Sequence, residues 1–202
     1  MAVYQRMTKY IPWTYVRPRP DAAELSNRFI REWDEKRLES TEPGAQILLP
    51  PTICFSRKAG AGALEIADIL AEKIGYRVVD RQIMEYIAGE ANLSEKTVSF
   101  FDERYPGKLA EFLALAFGEK AFIKSDYARL LFSAVLSIAA LGRTIFVGRG
   151  AHLLLSRDRV LAVRVICSNA CRIRRLADIL GLGETEAAGK MEQIDGEQAA
   201  FY

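Results

Sequence analysis

With 202 residues, half of them hydrophobic and 27% charged, the chain has the size and balance of one globular domain plus an appendage, and its core needs no disulfide or structural metal. A net charge of +2 excludes a molecule-wide field toward nucleic acid or membrane, so any anion recognition must come from locally grouped residues, and no nucleic-acid or membrane partner is expected. Three cysteines and one histidine, His152, fit neither a disulfide framework nor a zinc site, and free thiols point to a reducing, cytoplasmic setting.

Residues 1–50 read as an appendage and linker. Aromatics and prolines crowd Met1–Pro20, which lacks the unbroken apolar run of a signal peptide. Asp21–Glu39 predicts an amphipathic helix with Leu25, Phe29 and Trp33 on one side, and Ser40–Ala45, with Pro43 and Gly44, reads as a linker. The segment carries no chemistry of its own and suits packing, homo-oligomer contact or docking of a protein partner.

From Pro51 the pattern becomes strand, glycine loop, helix. Thr52–Phe55 predicts a strand and Ala63–Ile74 a helix with a broad apolar stripe of Leu64, Ala67, Ile69, Leu70 and Ile74, stopped by Gly75. Arg77–Val79 is a second strand, followed by a helix over Gln82–Gly89. Ser94 with Thr97 opens another helix, Pro106–Gly107 breaks the chain, and Lys108–Leu141 is a helical block interrupted near Gly118. The greasiest part, Leu130–Leu141, is shorter than the ~20 residues that span a bilayer and reads as a buried core helix.

Thr144–Val147 predicts a third strand ending in Gly148-Arg149-Gly150. Val160–Cys167 is a fourth, apolar at nearly every position except Arg164, which predicts burial on both faces and makes Cys167, like Cys54, a buried thiol. Asn169–Leu180 is a basic helix capped by Ser168 and ended by Gly181, and Glu184–Tyr202 a final helix. Strands alternating with helices predict an α/β fold with a doubly wound parallel sheet.

In open parallel sheets ligands bind beyond the carboxyl ends of the strands. Three of the predicted strands end suggestively there, in Ser56-Arg57-Lys58-Ala59-Gly60-Ala61-Gly62, in Asp80-Arg81 and in Gly148-Arg149-Gly150. Small residues after the first strand let backbone amides approach phosphate oxygens, and the following helix N-terminus adds about half a positive charge. A tight turn alone also needs such glycines. Arg149 suits either a forked contact to a phosphate or base, or a structural ion pair. Asp80-Arg81 reads as a substrate contact or as a helix cap with a solvated charge. Arg172, Arg174 and Arg175 are a solvated face or a mobile source of cations. His152, with no acidic or cysteine neighbour in sequence, reads as a core or surface histidine.

Ile53-Cys-Phe-Ser-Arg57, Gly60-Ala-Gly62, Glu65-Ile66-Ala67 and Tyr76-Arg-Val-Val-Asp80-Arg81 resemble the opening of the cytidylate-kinase-like proteins, nucleoside monophosphate kinases of the P-loop fold. The resemblance continues through Leu93-Ser94-Glu95, Val147-Gly148-Arg149-Gly150-Ala151, Arg172 with Arg175, and Gly181-Leu-Gly-Glu-Thr-Glu-Ala187 leading to Ile194-Asp195. It runs from about Thr52 to Tyr202, which sets residues 51–202 apart as a P-loop kinase-like domain with a helical lid. It implies transfer of the γ-phosphoryl of ATP, with magnesium, to CMP or a similar monophosphate. By position, Ser56, Arg57, Lys58, Ala59, Gly60, Ala61, Gly62 and Ala63 would hold the ATP phosphates. Asp80, Arg81 and Arg149 would face the monophosphate, and Arg172 and Arg175 would be lid residues. Arg57, Lys58, Arg149, Arg172 and Arg175 are then the cations available for catalysis.

Three positions depart from the pattern. A full Walker A loop ends in Gly-Lys-Ser/Thr, whereas Gly62, Ala63 and Leu64 stand here. Gln198 stands where an arginine is expected a few residues after Asp195, and the family's last strand and helix would follow Tyr202. One arginine can contribute about 10³–10⁵ in rate, so a silent nucleotide-binding relative acting through a partner is the alternative reading. A scaffold whose glycine loop is only a turn is a third.

Overall fold

The structure is a computed structural model that describes residues 21–39, 49–89, 95–105 and 125–201. The predicted Ser94 start, the Pro106–Gly107 break and the interruption near Gly118 lie outside the described residues, as do Met1–Pro20 and the linker.

Its centre is a four-stranded, all-parallel sheet. The strands are β1 (Thr52–Arg57), β2 (Arg77–Val79), β3 (Thr144–Val147) and β4 (Val160–Val165), in the order β2-β3-β1-β4. The helices are α1 (Ala22–Glu39), α2 (Ala63–Ile74), α3 (Arg81–Gly89), α4 (Glu95–Arg104), α5 (Ser125–Leu141), α6 (Ala151–Leu154), α7 (Asn169–Leu180) and α8 (Glu184–Phe201). Parallel pairing brings all four carboxyl ends to one rim. The register pairs Phe55 with Val147 and Val163, and Cys54 with Phe146 and Ala162.

Strand periodicity assigns the two faces. Ile53, Phe55, Ile145, Val147, Val78 and Val163 point to α2, whose Ala63, Leu64, Ala67 and Ala71 pack on them. Cys54, Phe146 and Val79 point the other way, into the larger core formed with α1, α3, α4, α5 and α6. Helices on both faces match the doubly wound expectation. The broad stripe predicted for α2 is narrower in fact. Ile69 and Ile74 are 49% and 41% exposed, because a helix above a sheet buries only the arc that touches it.

Helix α5 is the buried core helix that Leu130–Leu141 predicted, with residues 131–140 all buried. Its Ser133 and Ser137 hydroxyls donate to the carbonyls of Arg129 at 3.0 Å and of Ser133 at 2.7 Å, so neither is buried unsatisfied. Asp21 immediately precedes helix α1, and its carboxylate accepts from the Ala23 amide at 2.7 Å. Phe29 and Trp33 are buried in the main core, Trp33 stacked on Phe101 at 5.0 Å, so its apolar face is spent within the chain. Glu32 also binds Arg77 at 2.7 Å, tying α1 to β2.

The expectation for β4 is corrected. Among the described residues it is an edge strand paired with β1 alone, and Leu161 is 61% exposed with Ile166 just beyond it at 81%. An apolar run fits a strand buried on both faces, but which strand lies at the edge is set by topology, which composition cannot report. Cys167 is corrected with it: it follows the edge strand and is only half-buried, whereas Cys54, in the central strand, is buried as expected.

Candidate functional site

The rim where the four strands end gathers the loops singled out in the sequence. Loop 58–62 leaves β1 and enters α2 through Gly60 and Gly62, at φ 72° and 76°, backbone that only glycine adopts without strain. Gly62 occupies the N-cap of α2 and provides no side-chain cap. The first bond leading into the helix runs from the Ile66 amide to the Gly62 carbonyl at 3.1 Å, so the amides of Ala63, Leu64 and Glu65 stand outside the helical ladder. Ala59, Gly60, Ala61, Gly62 and Ala63 are buried, while Ser56 and Arg57 are half-buried and Lys58 is exposed.

Next to this loop lies the turn after β3. The Gly148 amide donates to the Phe55 carbonyl at 2.9 Å, and a Cβ on Gly148 would lie 3.8 Å from the Arg57 guanidinium. Gly148, Arg149 and Gly150 have φ of 93°, 52° and 66°. Three successive left-handed residues make a tight hook, and holding a non-glycine there costs about 1–2 kcal/mol. Strain of that kind clusters at ligand clamps, which gives Arg149 a physical distinction that its sequence context lacked.

A third wall comes from α7 and α8, which form a hairpin with its own small core of Leu176, Ala187 and Met191. Ser168 caps α7 as predicted, its hydroxyl oxygen accepting from the Cys171 amide at 3.3 Å. Two arginines of α7 join this hairpin to the loop. Arg172 is 2% exposed: its Nε donates to the Ala59 carbonyl at 2.6 Å, one Nη to Asn169 Oδ1 at 3.2 Å and the other to Asp195 Oδ1 at 2.6 Å. The close fit continues at Gly60, where a Cβ would come within 2.9 Å of the Arg172 carbonyl oxygen. Arg175 binds Glu65 at 2.6 Å and lies over the N-terminus of α2, 3.1 Å from where a Cβ on Gly62 would be. Its Nε is buried and meets no acceptor among the described residues, an unsatisfied donor beside uncapped amides.

The structure thus brings together Ser56–Ala63, the hook at Arg149, and Arg172 with Arg175. Asp80 and Arg81 share the rim but follow β2, one strand beyond β3. Asp80 is 2% exposed and its carboxylate accepts from the Ile83 amide at 3.1 Å, so it caps α3. His152 lies half-buried in α6, and burial first, then the charge of Arg164, lowers its pKa from the ordinary value. Two acids went unnoticed in the sequence as parts of the site, Glu65 and Asp195. Asp195 touches both Arg172 and, through its other oxygen at 3.5 Å, Lys58. The residues lie 137 positions apart in sequence, and no periodicity joins them.

The profile of the cytidylate kinase-like family matches residues 52–202. Among curated proteins, none matches the chain. A crystal structure of an uncharacterized protein from Eubacterium ventriosum superposes with a TM-score of 0.52 at 15% identity, over 75% of this chain and 79% of that one, a likeness of fold. Among the described residues no helix is long and apolar enough to cross a membrane.

Proposed function

Because the chain belongs to the cytidylate kinase-like family, we propose that its sheet is of the P-loop type and that it uses the rim to bind ATP and pass a phosphoryl group to a nucleoside monophosphate of the CMP kind. The observation that carries this reading is the uncapped start of α2, with the unsatisfied Nε of Arg175 beside it. Main-chain amides, a helix N-terminus and a spare guanidinium donor together fit a phosphate.

The residues present fit the phosphates of a nucleotide. Loop 58–62 with the amides of Ala63 and Leu64 would hold them, and Arg175 would add a forked cation. Arg149, in the hook after β3, would face an acceptor phosphate, with the Arg57 guanidinium close to the neighbouring Gly148. Bound ATP with magnesium would supply the transferable group and part of the charge neutralisation. The protein's own task is to orient donor and acceptor, exclude water and stabilise the charge that develops on the transferred oxygens. The fit to magnesium is poorer, since the position of a Walker hydroxyl ligand is Leu64, 2% exposed in the core under α2. Among the described residues no cluster of three or more acids, histidines or cysteines could hold a metal.

That same burial favours a second reading. With Ala63 and Leu64 facing the sheet, the chain would bind nucleotide without turning it over and act through a partner. A coupled ADP-release assay with ATP, magnesium and each monophosphate, beside calorimetry with a non-hydrolysable ATP analogue, separates the two. Turnover abolished by Arg149→Ala supports the kinase; analogue binding without turnover supports the silent relative. Absence of both refutes nucleotide recognition at this rim.

A further inference from the structure

Asp195 stands on α8, the last helix of the chain, yet its carboxylate contacts two cations of the phosphate-binding wall. One oxygen binds the buried Arg172 at 2.6 Å, and the other lies 3.5 Å from Lys58 Nζ. The surroundings of the two contacts differ. Arg172 is 2% exposed and also fixed to the Ala59 carbonyl, whereas Lys58 is 59% exposed and held by the carboxylate on a flexible stem. The first contact is buried and short; the second is longer and open to solvent.

We propose that Asp195 is a positioning residue and internal counter-anion of the site. It fixes Arg172 beneath loop 58–62, and it holds Lys58 in the place from which an incoming phosphate takes it over. The inference rests on the phosphate-site reading above. The single negative charge of the carboxylate compensates the buried guanidinium and leaves the exposed Lys58 as the surplus cation, free to meet an incoming anion. When a phosphate arrives, Lys58 exchanges one anion for another, while Arg172 keeps its bonds and the loop keeps its shape. Phosphate affinity is therefore set partly by competition with Asp195. The lid hairpin is held to the loop before any ligand binds.

The test is calorimetric titration of inorganic triphosphate into the whole chain, wild type against Asp195→Asn, each also in a Lys58→Gln background. The amide oxygen of asparagine still accepts from Arg172 but no longer competes for Lys58. Asp195→Asn should bind triphosphate about two- to five-fold more tightly, the size expected for release of one exposed ion pair. The gain should vanish when Lys58 is glutamine and shrink at high salt. A merely structural role for Asp195 predicts unchanged or weaker binding, and either result overturns the proposal. A gain that persists in Lys58→Gln also overturns it. If neither wild type nor variant binds triphosphate, the phosphate-site reading fails and the inference with it; if wild type binds and the variant binds no better, only the inference fails. Native-state hydrogen exchange on the wild-type chain covers the case of a misfolded variant. Triphosphate should protect amides of 59–65 and leave those around Asp195 as protected as before, because Arg172 keeps its bonds; loss of protection around Asp195 overturns the proposal.

Discussion

Replacing Gly60 with alanine measures how closely α7 sits on the loop. A Cβ there meets two separate penalties. The backbone is left-handed at φ 72°, which costs an alanine about 1 kcal/mol. The methyl would also lie 2.9 Å from the Arg172 carbonyl oxygen and 3.2 Å from its Cα, main-chain atoms that cannot swing aside. Overpacking of that kind costs a further ~1–3 kcal/mol, so the total is about 2–4 kcal/mol. Gly75 supplies the control, since its φ is 69° and nothing lies within 4 Å of its would-be Cβ. Gly75→Ala should lose only the conformational part, about 1 kcal/mol. At about 2–4 °C per kcal/mol for a chain of this length, thermal unfolding should fall by ~2–4 °C for Gly75→Ala and by ~4–16 °C for Gly60→Ala. Relief of the clash means moving α7 away from the loop, which stretches the bond from Arg172 to Ala59. Gly60→Ala should therefore also lose triphosphate affinity, and Gly75→Ala should not. Equal thermal shifts for the two variants would refute the close approach of the loop and α7.

Arg172→Met should destabilise by about 3 kcal/mol in urea titration, because it removes a buried cation and leaves the Asp195 carboxylate and the Ala59 carbonyl without it. The pair Arg172→Met with Asp195→Leu should recover much of that loss, since replacing both members leaves no stranded charge. Burial pushes the Cys54 thiol up to about 12 from an ordinary 9.0. The folded chain keeps this proton where the unfolded chain releases it, so the contribution is complete below pH 9 and declines as pH rises toward 12. At pH 10 the loss should be about 1.4 kcal/mol, and Cys54→Val should flatten that slope in denaturation run at several pH values. With a thiol reagent at pH 8, the exposed Cys171 should label first and Cys54 only on unfolding. Labelling of Cys54 at the rate of Cys171 would contradict its burial.

Much of the fold was legible because it is local. Gly75 and Gly181 stop α2 and α7 where a left-handed residue is needed, and both adopt it, at φ 69° and 66°. Asp80 and Ser168 cap their helices because a short polar side chain two or three residues before free amides has little else to bind. The loop after β1 and the hook after β3 were legible as glycine punctuation, and parallel pairing then placed them on one rim. The α2 stripe and β4 were misread for one reason: hydrophobicity says that a residue can be buried, not that something comes to cover it.

The sequence by itself determined the alternation of strands and helices, the glycines at the rim and the family pattern that runs through them, because each depends on residues close together in the chain. Only the tertiary structure decided that β4 is the edge, that Arg149 sits in a strained hook, and that Asp195 reaches back to Arg172 and Lys58. Those contacts join segments up to 137 positions apart, brought together by the strand order and by how the last two helices fold over the loop. Their partners are chosen by distance in space, and the chain states that distance only once it has folded.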